Sequence, residues 1–142
     1  MCHLNLKTMC TTDEIRERLK DLPEVPNHLM SFATPEVFHG IVEWEVKKGK
    51  MIAFTLLDHN NCEVFHTRFS KNTELQWHSH GNESEQVIVC LEGSITFIFE
   101  NGTKFHLNEK DKCLIPKEVQ HTAIVGDKPC QILALTIPKE KR

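Results

Sequence analysis

The chain has 142 residues, with 17 Lys and Arg against 20 Asp and Glu, a formal net charge of -3 and 39% hydrophobic residues. That length suits one domain with a genuine core rather than two. The interspersed charges give neither a basic stripe for nucleic acid nor an acidic arm. No apolar run reaches the length of a membrane span, and the first residues lack the apolar core of a signal peptide. No membrane partner and a cytoplasmic location are therefore expected. Six cysteines, Cys2, Cys10, Cys62, Cys90, Cys113 and Cys130, stand singly without a C-x-x-C pair. In a reducing compartment that predicts free thiols.

The first predicted element is a helix. Thr11 or Thr12 can cap a segment from Asp13 to Leu22, with Ile15, Leu19 and Leu22 as a narrow apolar stripe. Pro23 and Pro26 end it, and residues 27 to 40 are irregular. From Gly40 the pattern turns to short β-rich runs. In order they are Ile41–Val46, Met51–Leu57, Glu63–Phe69, Leu75–His80, Gln86–Leu91, Ser94–Glu100, Thr103–Leu107, Lys112–Ile115, His121–Val125 and Cys130–Ile137. Asn101-Gly102 between two of them is a type I′ hairpin signal. Ten short strands with one helix predict an all-β antiparallel barrel or sandwich over 41–137, in a single domain of 1–142.

Chemistry concentrates in Trp77-His78-Ser79-His80-Gly81-Asn82-Glu83-Ser84-Glu85-Gln86. Histidines at i and i+2 of an extended segment point to the same side, so both imidazoles can meet one borderline metal ion. A carboxylate or amide entering the next strand is placed to add a third ligand. Trp77 faces away from the first histidine and is expected to pack or lie in an interface. Cys90 and Cys113 are expected to be small core residues, and Ile88, Thr96, Phe97 and Phe99 are candidates for a pocket wall. His39, His59, His66 and His106 have no convergent partner at ligand spacing.

These residues resemble the motifs of the cupin superfamily over roughly residues 60 to 137. The first cupin motif places a glycine six residues before His-x-His. Here Asn72 holds that position before His78 and His80. In the second motif Pro116 and His121 keep the family's mutual spacing, whereas Lys110 and Glu118 stand at its glycines and Val125 at its asparagine. The resemblance implies a double-stranded β-helix, or jelly-roll cupin barrel, with a short N-terminal helix. It also implies a mononuclear centre of His78, His80, Glu85 or Gln86, and His121. Counting forward from His80 selects Glu85. Counting back from Gly93 selects Gln86, and both stay open.

Three imidazoles and one oxygen ligand suit Fe, Mn, Ni, Co or Zn. The expected function is a metal-dependent reaction of dioxygenase, isomerase or lyase type on a small polar molecule. A non-catalytic ligand-binding or sensor barrel is the competing reading, since this fold hosts many functions. A homodimer is also expected, paired through sheet faces or through the edge formed by Ile41–Val46 and Met51–Leu57. Trp44 is the candidate interface aromatic of that edge.

Overall fold

A computed structural model describes residues 41–59, 62–79 and 84–137. The helix expected at 13–22 lies outside these residues, as does His80. Among the described residues every regular element is a strand. The nine are β1 (Ile41–Trp44), β2 (Met51–His59), β3 (Cys62–Phe69), β4 (Glu85–Glu92), β5 (Ile95–Phe99), β6 (Lys104–Leu107), β7 (Lys112–Ile115), β8 (His121–Val125) and β9 (Cys130–Ile137). One antiparallel sheet runs β1-β2-β3-β9-β4-β7 and the other β6-β5-β8. From β4 onward the chain alternates between the sheets, except for the β5–β6 hairpin. This is the winding of a double-stranded β-helix.

Alternation explains the core. Ile88 and Cys90 of β4, Ile95, Phe97 and Phe99 of β5, Ala123 and Val125 of β8, and Ile132 and Ala134 of β9 interdigitate between the sheets. The described cysteines Cys62, Cys90, Cys113 and Cys130 are free thiols, as expected. Two local expectations change. Within the run Leu75–His80 the described residues 75–79 form no continuous strand, because they meet the small sheet through isolated bridges, as at His78 to His121, rather than through an unbroken ladder. The Asn101-Gly102 connection is not type I′, since only Gly102 of the pair has positive φ, at 89°. Gly102 N donates to Phe99 O at 2.9 Å and Thr103 N to Asn101 Oδ1 at 2.9 Å. A three-residue loop results, its Asn side chain capping the turn in place of a second left-handed residue.

The residues that replace the motif glycines keep a glycine's backbone. Asn72 has φ 59°, Lys110 φ 75° and Glu118 φ 61°. Left-handed backbone costs a residue with a Cβ roughly 1–2 kcal/mol, less for Asn, whose short polar side chain tolerates it. The crossing at Gly93 admits no such replacement, because a Cβ there would run into the carbonyl oxygen of Pro129.

The large sheet also buries a polar chain on its outer face. His66, 0% exposed, bonds through Nε2 to Gln131 Oε1 at 2.7 Å, and Gln131 Nε2 donates to Glu92 Oε2 at 2.6 Å. The amide oxygen only accepts, so His66 carries its proton on Nε2 and its buried Nδ1 lacks a partner. Burial lowers the His66 pKa from 6.5 to about 4. The Gln131 bond opposes the shift and the Arg68 charge adds to it.

Two outcomes are expected. Lys110→Gly and Glu118→Gly each raise stability by about 1 kcal/mol in urea unfolding, whereas Asn72→Gly gains little. The second concerns His66, whose folded pKa lies below its unfolded value, so the unfolded chain binds the extra proton between pH 6.5 and about 4. Stability present above that window is lost as pH falls through it, by on the order of 3 kcal/mol. Unfolding midpoints of His66→Gln, measured at several pH values, show a flatter slope across that window.

Candidate metal centre

Two of the histidines meet through the backbone ladder. His78 N donates to His121 O at 2.9 Å and His121 N to His78 O at 2.8 Å. A pair that exchanges both bonds is directly opposed, with both side chains on the same face. The rings accordingly lie 4.3 Å apart between centroids, tilted by 55°. Both are buried, His78 at 3% and His121 at 1% exposure.

Each ring is held the same way. His78 Nδ1 lies 2.9 Å from Gln76 O, and His121 Nδ1 lies 2.9 Å from Val119 O. A carbonyl only accepts, so Nδ1 carries the proton in both rings. In the neutral ring Nε2 is then the lone-pair nitrogen. That tautomer and ring setting are the ones a metal-binding imidazole needs. Phe99 and Phe97 wall the pair, their centroids 5.8 and 6.5 Å from the His121 ring.

The opposite wall is set by register. Gln86 pairs with Thr136 on one side and Ile115 on the other, in step with inward-facing Ile88 and Cys90. Its Nε2 donates to Thr136 Oγ1 at 3.2 Å, which leaves Oε1 as the amide's acceptor. Glu85, one residue earlier, is exposed. Of the two candidates, Gln86 has the inward parity. His80 lies outside the described residues, and among those described no three His, Cys, Asp or Glu side chains converge as a metal cluster. Still, the proton-bearing Nδ1 atoms leave both Nε2 lone pairs in the form that suits a first-row divalent ion, and Gln86 presents an amide oxygen of inward parity.

Other residues fall elsewhere. Thr96 is not pocket wall: it pairs with Ile124 and bonds His106 Nδ1 at 2.7 Å on the outer face. Trp77 is 53% exposed rather than packed, because it alternates with buried His78. Cys90 sits in the core, whereas Cys113 is half-buried on β7. Glu63 escaped the sequence reading. It is 1% exposed and pairs with Thr136, in the row that continues to Gln86. Alternation with Phe65 and Thr67 was the available signal, but a strand-end glutamate reads as a solvated charge.

The chain belongs to the cupin family: the cupin-domain model matches residues 65–136. Solved structures share the fold at low identity. An RmlC-like cupin from Shewanella frigidimarina is 20% identical with a TM-score of 0.60, covering 84% of this chain and 95% of that one. A predicted oxalate decarboxylase from Thermotoga maritima is 19% identical with a TM-score of 0.57, covering 65% and 84%. A cupin-superfamily sugar phosphate isomerase from Silicibacter pomeroyi is 13% identical with a TM-score of 0.53, covering 63% and 60%. No curated protein matches the chain at a significant level.

Strand parity separates the two third-ligand candidates experimentally. Gln86→Ala is expected to weaken cobalt(II) affinity by about 10- to 100-fold, the range for removing an interaction at a metal site. Glu85→Ala leaves it within error in the same competition titration. The reverse order would assign the centre to Glu85.

Proposed function

We propose that this chain is a metal-dependent cupin enzyme, with His78, His80, Gln86 and His121 holding one divalent ion. The observation that carries this reading is the directly opposed His78–His121 pair, each ring fixed by a backbone carbonyl so that Nε2 keeps the lone pair. An ion held there would supply Lewis acidity or oxygen-dependent chemistry, of isomerase, lyase or dioxygenase type. The protein's own part is to orient and to dry. Phe97 and Phe99 exclude water beside His121, and Thr136 fixes the Gln86 amide. Buried Glu63 adds a carboxylate to the same wall.

The substrate class in this reading is a small polar or anionic molecule. Oxalate and sugar phosphate, named for two proteins of similar fold, have that character. Gln86 bears on the same point. An amide in place of a carboxylate leaves the ion's full charge available to an anion. A cytoplasmic location and a dimer through the β1 edge, with half-buried Trp44 in the contact, complete the reading.

The test is metal analysis of untagged protein beside three variants. Wild type carries about one metal per chain, as a mononuclear site requires. His78→Ala and His121→Ala lose it, and His106→Ala, whose ring bonds Thr96 on the outer face, retains it. Equal metal content in all four proteins, or none on reconstitution, would move the assignment to a metal-free binding barrel.

A further inference from the structure

The two sheets part at one side of the barrel. There β6 ends the small sheet and β7 ends the large one, and no ladder joins them. Between them lies an open groove of about 920 Å³, within the size range of small-molecule sites. Its apolar surface includes Phe99, Phe105, Leu107 and Leu114. Phe105 and Leu114 are exposed, so an apolar surface is presented rather than packed away.

Two features say what the groove would hold. The first is continuity with the imidazole pair. Phe105 meets Phe99 edge-on at 5.3 Å between centroids, and Phe99 lies 5.8 Å from the His121 ring. Val119, whose carbonyl accepts the His121 Nδ1 proton, also lines the groove. One end of the groove therefore shares its wall with the candidate centre. The second feature is charge. Lys104, Lys110 and Lys112 line the groove against a single carboxylate, Asp111. That carboxylate already accepts the backbone N–H of Asn108 at 2.9 Å. Lys110 and Lys112 stand by the turn that leads into β7, whereas Phe99 and Val119 mark the imidazole end.

We propose that the β6–β7 groove binds an amphipathic organic anion. Its apolar chain lies along Phe105 and Phe99, and its carboxylate meets Lys110 and Lys112. β6 and β7 are four residues each, so each edge spans about 10 Å at ~3.3 Å per residue. That length suits a medium-chain carboxylate. The thiol of Cys113 in the same groove is pushed up to about 11 by burial, so it stays protonated near neutrality. The groove thus holds its ligand by contact and charge rather than by a covalent bond. Taking this anion as the substrate rests on the metal-dependent reading above. Its binding does not.

The test uses octanoate and its uncharged counterpart octanol, titrated into the full-length protein by calorimetry. Amide NMR shifts locate the site. Octanoate is expected to bind about tenfold tighter than octanol, a 1.4 kcal/mol contribution from charge. The shifts should fall on β6 and β7. The doubly substituted Lys110→Glu, Lys112→Glu protein loses that tenfold preference, Phe105→Ser weakens both ligands, and Lys128→Glu, on the β8–β9 turn and outside the groove lining, changes neither. Equal affinity for the two ligands overturns the proposal, as do shifts elsewhere or no binding. So does a dimer, detected by sedimentation, for which amide shifts on dilution place the partner over β6 and β7. Metal content read on the same samples keeps the two readings apart: metal without octanoate removes the groove, and octanoate without metal removes the centre.

Discussion

The reciprocal backbone bonds between His78 and His121 are the constraint on which the site depends. Segment 74–79 forms no regular strand, yet it is pinned to β8 at three successive points. Leu75 N donates to Ala123 O at 2.9 Å, Thr122 Oγ1 donates to Leu75 O at 2.6 Å, and the histidine pair closes the row. A slip of one residue would turn His78 outward and bring Trp77 into the barrel. The buried Thr122 hydroxyl opposes that slip, because it would lose its carbonyl acceptor inside a dry interface. Register here fixes which chemistry faces inward.

Backbone strain is coupled to the same pair. Glu118 keeps a left-handed backbone, with φ 61°, immediately before Val119. The Val119 carbonyl is the one that holds His121 Nδ1 at 2.9 Å. A relaxed residue 118 would redirect that carbonyl, and with it the proton whose place on Nδ1 leaves the lone pair on Nε2. Lys110 plays the equivalent part at the turn before β7. There Lys110 N bonds Cys90 O at 2.8 Å and Asp111 carboxylate caps Asn108 N. The fold retains each turn and bears its cost where glycine is absent.

Most strands were legible because one face of each is buried and period-two alternation then shows in the residues, as in Ile95, Phe97 and Phe99 of β5. Leu75–His80 reads as a strand for the same reason, but its pairing is broken into bridges, and local pattern carries no information about partners. The hairpin at Asn101 was visible and its type was not. The choice between one and two left-handed residues turned on a side-chain bond to Thr103 N. Glu85 and Gln86 could not be separated by counting, because two spacings disagreed by one residue. The pairing of Gln86 with Thr136 supplies the parity. Glu63 drew no reading and His66 only one as a histidine without a convergent partner, since burial of a polar strand residue depends on what covers it.

In the proposed centre residue 86 is an amide, Gln86, rather than a carboxylate. A carboxylate there would cancel part of a divalent ion's charge at contact distance, where low dielectric makes the cancellation large. In the proposed centre an amide oxygen would coordinate without cancelling that charge, and the ion's attraction for an anionic ligand would stay intact. The lysines of the β6–β7 groove favour the same sign of charge at the other end of an apolar path through Phe105 and Phe99. Lysines in solvent contribute little alone, being screened over about 10 Å. In the proposed groove they would raise the local concentration of anions at the mouth of the path, and the apolar walls would then select those with a chain to bury. Charge would set which ligands arrive there, and the aromatic wall which of them stay.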